Sequence, residues 1–149
     1  MSRYLLLKLM LLLLSLPSLS QSLLWTKTEH WGDRSTAVKH INTDSQNNVY
    51  IAGGFGGYIT GGGMFMSKYD ALGNQLWSDT LSRANFNCGL AIDSLGNSYN
   101  FIYHFPGFHF VKYSTTGTKL LDVMPFSGSL TGNDIQIGKD GYIYLRWLG

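Results

Sequence analysis

The residues best suited to ligand contact lie in one aromatic run, FIYHFPGFHFVKY, from Phe101 to Tyr113. The run holds four Phe, two Tyr and two His. If some of these rings face solvent, they form an apolar platform that can stack on a sugar ring or a peptide, and the His side chains can offer hydrogen bonds. The residues predicted to contact such a ligand are Tyr103, His104, Phe105, Phe108 and His109.

The same run also has a purely structural interpretation. Its aromatic residues alternate along two strands, Phe101 to Phe105 and Phe108 to Phe110, which is the pattern of rings packed between neighbouring sheets. Aromatic side chains are commonly buried, which favours this interpretation. A metal site at His104 and His109 would need a third ligand, and none is evident in the sequence.

Other motifs give no catalytic or metal site. GGFGGYITGGG (53–63) lacks the Lys and Ser or Thr of a phosphate-binding loop and is predicted to be a hairpin between two strands. The acidic residues do not follow the D-x-D-x-D-G spacing of a calcium loop. Paired carboxylates and a Ser-His-Asp set do not stand out either. We therefore assign no catalytic residue, no metal and no cofactor.

The N-terminal segment has the pattern of a secretory signal peptide. Arg3 and Lys8 precede a leucine run, and Pro17 with several small residues follows it. The apolar core is shorter than the roughly 20 residues that a membrane helix needs. Residues 1–22 are therefore predicted to be cleaved without stable membrane insertion. The mature chain is expected to be secreted or displayed at the cell surface.

Charge and cysteine content argue against two classes of protein. The chain has 11 Lys and Arg against 9 Asp and Glu, and without Arg3 and Lys8 the two counts are equal. Nucleic-acid binding usually needs a basic excess, so no nucleic-acid partner is expected. The single cysteine, Cys88, cannot form an internal disulfide, so apolar burial must hold the fold together.

The sequence after residue 22 repeats. INTDSQNNVYI (41–51) aligns with LAIDSLGNSYN (90–100) and, less closely, with IQIGKDGYIYL (135–145). A second block, MSKYDALGNQLW (66–77), aligns with FVKYSTTGTKLL (110–121). Two blocks that recur in the same order at a spacing of about 45 residues indicate a repeat architecture.

Each copy carries residues suited to tight turns. Gly and Asn tolerate positive φ, and Asp accepts backbone hydrogen bonds within a turn. The predicted structural turn residues are Asp44, Asn48, Gly73, Asp93, Gly96, Asn97, Gly117, Asp140 and Gly141.

Short alternating runs rich in Tyr, Phe, Thr and Gly predict an all-β fold. Four strands in about 45 residues describe one blade of a β-propeller. We expect a partial β-propeller made of four-stranded antiparallel blades, with about two and a half blades present. The predicted strands are 36–43, 48–54, 63–70 and 74–80, then 86–93, 97–104, 107–114 and 118–124. The predicted units are about 36–80, about 86–124 and, in part, 131–149, with 23–28 as the outer strand of a closing blade.

The repeat resembles the secreted bacterial β-propeller repeat called SBBP. The resemblance rests on the order D-S-x-G/N-N-x-Y, a Gly-rich hairpin, then K-Y-D/S-x-x-G-x-x-L-W, and covers essentially all of the chain after the signal peptide. It implies an exported or cell-surface scaffold without catalytic residues. KYDALGNQLW (68–77) also resembles the D-A-x-T-G-x-x-x-W motif of quinoprotein propellers, which implies a Trp that locks one blade against the next.

A closed propeller takes roughly 4 to 8 blades. The chain is therefore expected to be an N-terminal fragment of a longer protein or a truncated reading frame, with the remaining blades as partners. The predicted function is an exported scaffold or binding module for a protein, peptide or glycan. One alternative is an enzyme propeller, a hydrolase, lyase or quinoprotein, whose catalytic residues lie in blades outside this sequence. Another is a purely structural module of a cell-surface chain.

Overall fold

The computed structural model describes residues 23–28, 36–56, 62–82, 84–104, 106–127 and 131–148. These ranges contain ten β-strands and no helix, which confirms the all-β prediction. No helix in the described part of the chain is long and apolar enough to cross a membrane. The predicted signal peptide, residues 1–22, lies outside the described residues.

The strands form three antiparallel sheets in chain order. The first sheet contains β1 Thr36–Thr43, β2 Val49–Phe55, β3 Gly63–Tyr69 and β4 Gln75–Ser82. The second contains β5 Ala84–Ile92, β6 Ser98–His104, β7 Gly107–Tyr113 and β8 Lys119–Ser127. The third contains β9 Thr131–Ile137 and β10 Ile143–Leu148. The predicted four-stranded antiparallel sheets are thereby confirmed for the first two.

Two segments add detail to the predicted units. Residues 23–28 pair with no strand in the described ranges, so their role as the outer strand of a closing blade stays a prediction, and the Trp25 ring centroid lies 5.9 Å from that of Tyr69. The glycine-rich run begins inside β2, where Gly53 and Gly54 pair with both β1 and β3. Residues 57–61 of that run lie outside the described residues.

The sheets stack face to face in chain order. Every side chain of β3 is buried because neighbouring elements cover both faces of the first sheet. One core joins the first and second sheets, and it includes Tyr50, Met66, Ile102 and Val111. Another core joins the second and third sheets through Phe101, Phe108 and Ile135, among others. We call the face that a sheet presents to the next sheet in the chain its rear face, and the opposite face its front face.

Candidate functional site

Five hairpins in the described ranges close with the same kind of turn. In the first, the Asp44 N–H donates to the Asn48 carbonyl and the Asn47 N–H donates back to the Asp44 carbonyl, both at 3.1 Å. The fourth residue of each turn has positive φ, 63° at Asn47 and 81–85° at the glycines of the other four. Only Gly, and less readily Asn, adopts this region at low cost. The glycines are Gly73, Gly96, Gly117 and Gly141.

Aspartate side chains accept hydrogen bonds within four of these turns, and the Ser114 hydroxyl does so in the turn 114–118. Asp44 Oδ1 accepts the backbone N–H of Gln46 and of Asn48, each at 2.9 Å, and Oδ2 accepts Asn48 Nδ2 at 2.8 Å and the Tyr50 hydroxyl at 3.2 Å. Burial acts to raise the pKa of Asp44, but the hydrogen bonds from Asn48, Gln46 and Tyr50 outweigh it and lower that pKa below 3.8. Donors of the turn and of the following strand therefore occupy both carboxylate oxygens.

Aspartates of two further turns accept similar hydrogen bonds. Asp93 stands where the first copy has Asp44, whereas Asp140 lies two positions later in its turn, which begins at Gly138. Asp93 Oδ1 accepts the Asn97 N–H at 2.8 Å, and its Oδ2 accepts the Tyr99 hydroxyl at 3.0 Å. Asp140 accepts the Tyr144 hydroxyl at 2.7 Å. The pKa of Asp93 is lowered by hydrogen bonds from Asn97, Tyr99 and Leu95, although burial acts in the opposite direction. In the described ranges no group of three or more His, Cys, Asp or Glu is placed to hold a metal ion.

Tryptophan side chains dock on the turns between the third and fourth strands. Trp77 of β4 donates its Nε1–H to the Thr115 carbonyl at 3.1 Å and stacks on Tyr113 with ring centroids 5.6 Å apart. A Cβ added at Gly117 would lie only 2.7 Å from the Trp77 ring, so the indole occupies the space that glycine leaves open. Trp77 therefore fastens the first sheet to the second.

Trp25 repeats this contact on the first sheet. Its Nε1–H donates to the Ala71 carbonyl at 3.2 Å, and a Cβ at Gly73 would lie 3.0 Å from its ring. The quinoprotein-like segment 68–77 thus contains an indole that docks on the turn of the second sheet, Trp77, and a turn that receives the indole of Trp25.

A buried ion pair lies in the same interface. Lys68 Nζ is 3.5 Å from Asp44 Oδ2, and both side chains are only 5% exposed. The ammonium also donates to the Thr115 carbonyl at 3.3 Å and lies 4.8 Å from the Tyr50 ring centroid. The Tyr50 hydroxyl shares its one hydrogen between Asp44 Oδ2 and the Gly96 carbonyl of the second sheet, which is 2.7 Å away. Burial, and then the nearby Asp44 carboxylate, raise the pKa of Tyr50. These polar groups serve the contact between the sheets.

The predicted aromatic platform is divided between two faces of the second sheet. Phe108 is fully buried in the rear face, where it stacks on Phe101 at 5.0 Å and meets the half-buried Tyr103 edge-on at 5.0 Å. His109 follows Phe108 in β7 and points to the front face. The structure therefore does not bring Phe108 and His109 together. Phe105 lies outside the described residues, and of His104 only the backbone is described, at the end of β6.

His109 lies in a cleft between the first and second sheets. The cleft has a volume of about 250 Å³ and is lined by Thr80, Leu81, Ser82, Ala84, Ile102, His109 and Asp122. His109 Nδ1 is 2.8 Å from Asp122 Oδ1, and their side chains are 25% and 34% exposed. We call this site the His109 cleft.

A row of charged side chains lies beside the His109 cleft. Lys119 Nζ lies 3.7 Å from both Asp122 Oδ2 and Asp79 Oδ2. Asp79 Oδ2 in turn accepts the Tyr113 hydroxyl at 2.8 Å. Burial, and then the hydrogen bond to Asp79, raise the pKa of Tyr113. The cleft therefore combines a histidine–carboxylate pair with hydroxyl groups and an apolar wall.

Sequence reasoning identified His109 but missed its neighbours. Asp122 is 13 residues further along the chain, and Thr80 and Ser82 belong to the preceding sheet. The pairing of β7 with β8 places Val111 opposite Asp122 and so puts Asp122 on the front face beside His109. In the sequence, only the expected pairing of the predicted strands 107–114 and 118–124 could have linked the two residues.

No protein-family model matches the chain, and a search of curated proteins also found no matching sequence.

Proposed function

We propose that the chain forms blades of an exported, SBBP-type β-propeller that acts as a binding scaffold for a protein, peptide or glycan. The propeller assignment is supported by consecutive four-stranded antiparallel sheets that stack face to face in chain order. It is supported further by the recurring contact of a Trp on the turn of the following unit. Export and the surface location rest on the signal-peptide pattern of residues 1–22.

The His109 cleft is the observation that carries the binding role. The polar side-chain atoms of Asp44, Asp93 and Lys68 form hydrogen bonds within turns or an ion pair at the contact between sheets. In contrast, His109 and Asp122 form a polar pair that stays partly exposed in an open cleft. Loops and clefts on a rigid β scaffold are where binding residues usually lie.

The lining of the cleft suits a small polar group that also has an apolar side. Asp122 can accept a hydroxyl or amide hydrogen, and the His109 ring fixes the carboxylate through its Nδ1 contact. Ala84 and Ile102 supply an apolar surface. A cleft of about 250 Å³ is small, so it suits one sugar ring or one peptide side chain of a larger ligand.

Glycan and peptide arrays probed with the purified chain test this proposal. We expect a defined set of hits whose affinity falls about tenfold or more in His109→Gln and Asp122→Asn, because each change removes one polar contact of the cleft. His40→Gln is the matched control, since His40 lies in β1 away from the cleft lining, and it should keep the hits. The absence of hits on both arrays, or hits that survive both cleft variants, would contradict the binding role.

A further inference from the structure

The rear face of the second sheet is an incompletely covered copy of the rear face of the first. The aligned blocks place Tyr99 where the first sheet has Tyr50, and Lys112 where it has Lys68. Both tyrosines are buried, and each lysine lies over its tyrosine ring, at 4.9 Å in the second sheet and 4.8 Å in the first. The two faces are therefore built alike close to their second strands.

The rear faces of the two sheets differ at their third and fourth strands. Lys68 is only 4% exposed, whereas Lys112 is half-buried. On β8, Leu121 is 39% exposed and Val123 is 42% exposed. Leu121 pairs with Lys112, and Val123 pairs with Phe110, so the four residues share one face. We call these residues, Phe110, Lys112, Leu121 and Val123, the open strip.

The first sheet shows what covers this part of a rear face. Trp77 and Lys68 are covered by the β7–β8 hairpin of the second sheet. Its turn supplies the Thr115 carbonyl to both side chains, and Gly117 lies against the indole. The contact is therefore made by a third and fourth strand, together with the turn that joins them.

The open strip has no such hairpin over it in the described ranges. The third sheet contains β9 and β10 there, and Ile135 of β9 packs on Phe101 and Phe108. β10 stands where the first two sheets have their second strand, and its outer edge faces no strand within the described residues. An unpaired edge next to an exposed apolar strip is a template for strand addition.

We propose that the open strip and the edge of β10 bind an antiparallel β-hairpin of the K-Y-x-x-x-G type. One strand of the hairpin pairs with β10 through the main chain. The turn presents a backbone carbonyl to the Lys112 ammonium, as Thr115 does to Lys68, and places its glycine over Leu121. This inference continues an interface present between the first two sheets and is independent of the His109 cleft.

Leu121 also predicts how the affinity can be changed. It stands where the first sheet has Trp77, but a leucine has no N–H to donate and no ring to stack. Leu121→Trp should restore both contacts and tighten hairpin binding about tenfold. Leu121→Asp should weaken it about tenfold or more because a charge replaces an apolar contact.

The test titrates the full chain with a synthetic hairpin peptide that has the sequence of residues 63–82. Calorimetry gives the affinity, and hydrogen exchange reports protection of the β10 amides. Ile41 is 71% exposed and lies in β1 of the first sheet, outside the open strip, so Ile41→Trp and Ile41→Asp are controls that should leave affinity unchanged. A peptide with Gly73→Ala should bind more weakly because the turn needs positive φ.

Saturable binding that is tightened by Leu121→Trp, with protection of β10, would support the proposal. It would be overturned if neither the original chain nor Leu121→Trp binds the peptide, or if the Ile41 and Leu121 variants behave alike. Sedimentation adds a further outcome. If the chain self-associates through the open strip and Leu121→Asp abolishes this without any peptide binding, a second copy is the occupant and the hairpin proposal is wrong.

Discussion

Single aspartates set much of the local geometry of this chain. Asp44 and Asp93 each receive hydrogen bonds from backbone N–H groups, an Asn side chain and a Tyr hydroxyl. Their regular recurrence could suggest a metal or catalytic role. The donors that surround the two carboxylates instead explain the recurrence as turn formation, because each copy of the unit must close the same hairpin.

The lowered pKa values of Asp44 and Asp93 predict acid sensitivity. A carboxyl whose pKa is lower in the folded chain than the ordinary 3.8 stabilises the fold above that value. The contribution is lost as the pH falls through the folded-state pKa, because the unfolded chain binds more protons. We expect the thermal midpoint to fall progressively below about pH 4.

Thermal unfolding followed by circular dichroism between pH 2 and 7 checks this expectation. Asp44→Asn and Asp93→Asn should each be less stable at pH 7, and the double variant should show a shallower fall in acid because an amide does not titrate. An equally steep fall in the double variant would show that other groups cause the acid sensitivity.

At the scale of strands and turns, the glycine of each turn has one of two roles. Gly117 has φ of 85° and lies against the Trp77 ring, while Gly141 has φ of 81° with nothing within 4 Å of an added Cβ. The two positions therefore share the same backbone requirement, and only one of them receives an indole. Comparing Gly117 with Gly141 therefore separates the cost of positive φ from the cost of losing the contact with the indole.

Alanine substitutions at the two glycines should differ in cost. Gly141→Ala should lower the free energy of unfolding by about 1 kcal/mol, the cost of positive φ for a residue with a Cβ. Gly117→Ala should cost about 1–3 kcal/mol more, because the methyl group displaces the indole of Trp77. Urea unfolding of both variants measures the difference. Equal costs would mean that Trp77 does not dock on this turn.

The strands and turns could be predicted from the sequence because their signals are local. The turns at 70–74 and 93–97 each combine an Asp, a Gly and an Asn within five residues, and the other three turns keep at least one of these residue types. The strand bounds follow from the turns, as for the predicted strand 107–114 and the observed Gly107–Tyr113. The faces of the aromatic run were harder to assign. Phe108 and His109 are neighbours in the sequence, but the period of two along a strand sends them to opposite faces.

At the scale of the whole molecule, the packing of one sheet on the next was the feature that the sequence predicted least well. The His109 cleft joins β4 of one sheet to β7 and β8 of the next, so its lining depends on how two sheets pack. The quinoprotein-like motif indicated that a Trp should fasten neighbouring units. It did not show that the Thr115 carbonyl would also bind Lys68, because that contact joins residues 47 positions apart.

Consecutive sheets pack through the same kind of contact, in which a Trp docks on a turn. Each sheet therefore presents a surface on which the next sheet can pack. Trp25 docks on the first sheet and Trp77 on the second, and the open strip provides the corresponding surface of the second sheet. Stability in such arrays is approximately a sum of unit and nearest-neighbour terms. Loosening the Trp77 contact should therefore weaken the whole stack of sheets.

Proton NMR of the folded chain tests the face-to-face stacking most directly. We predict nuclear Overhauser contacts between the Trp77 indole and the Gly117 Hα protons, which should also shift upfield relative to those of Gly141, because Gly117 lies against the ring. Both signals should disappear in Trp77→Leu while the turns of the second sheet remain formed. A folded chain without these contacts, and with the same Hα shifts at Gly117 and Gly141, would contradict the stacked arrangement of the sheets.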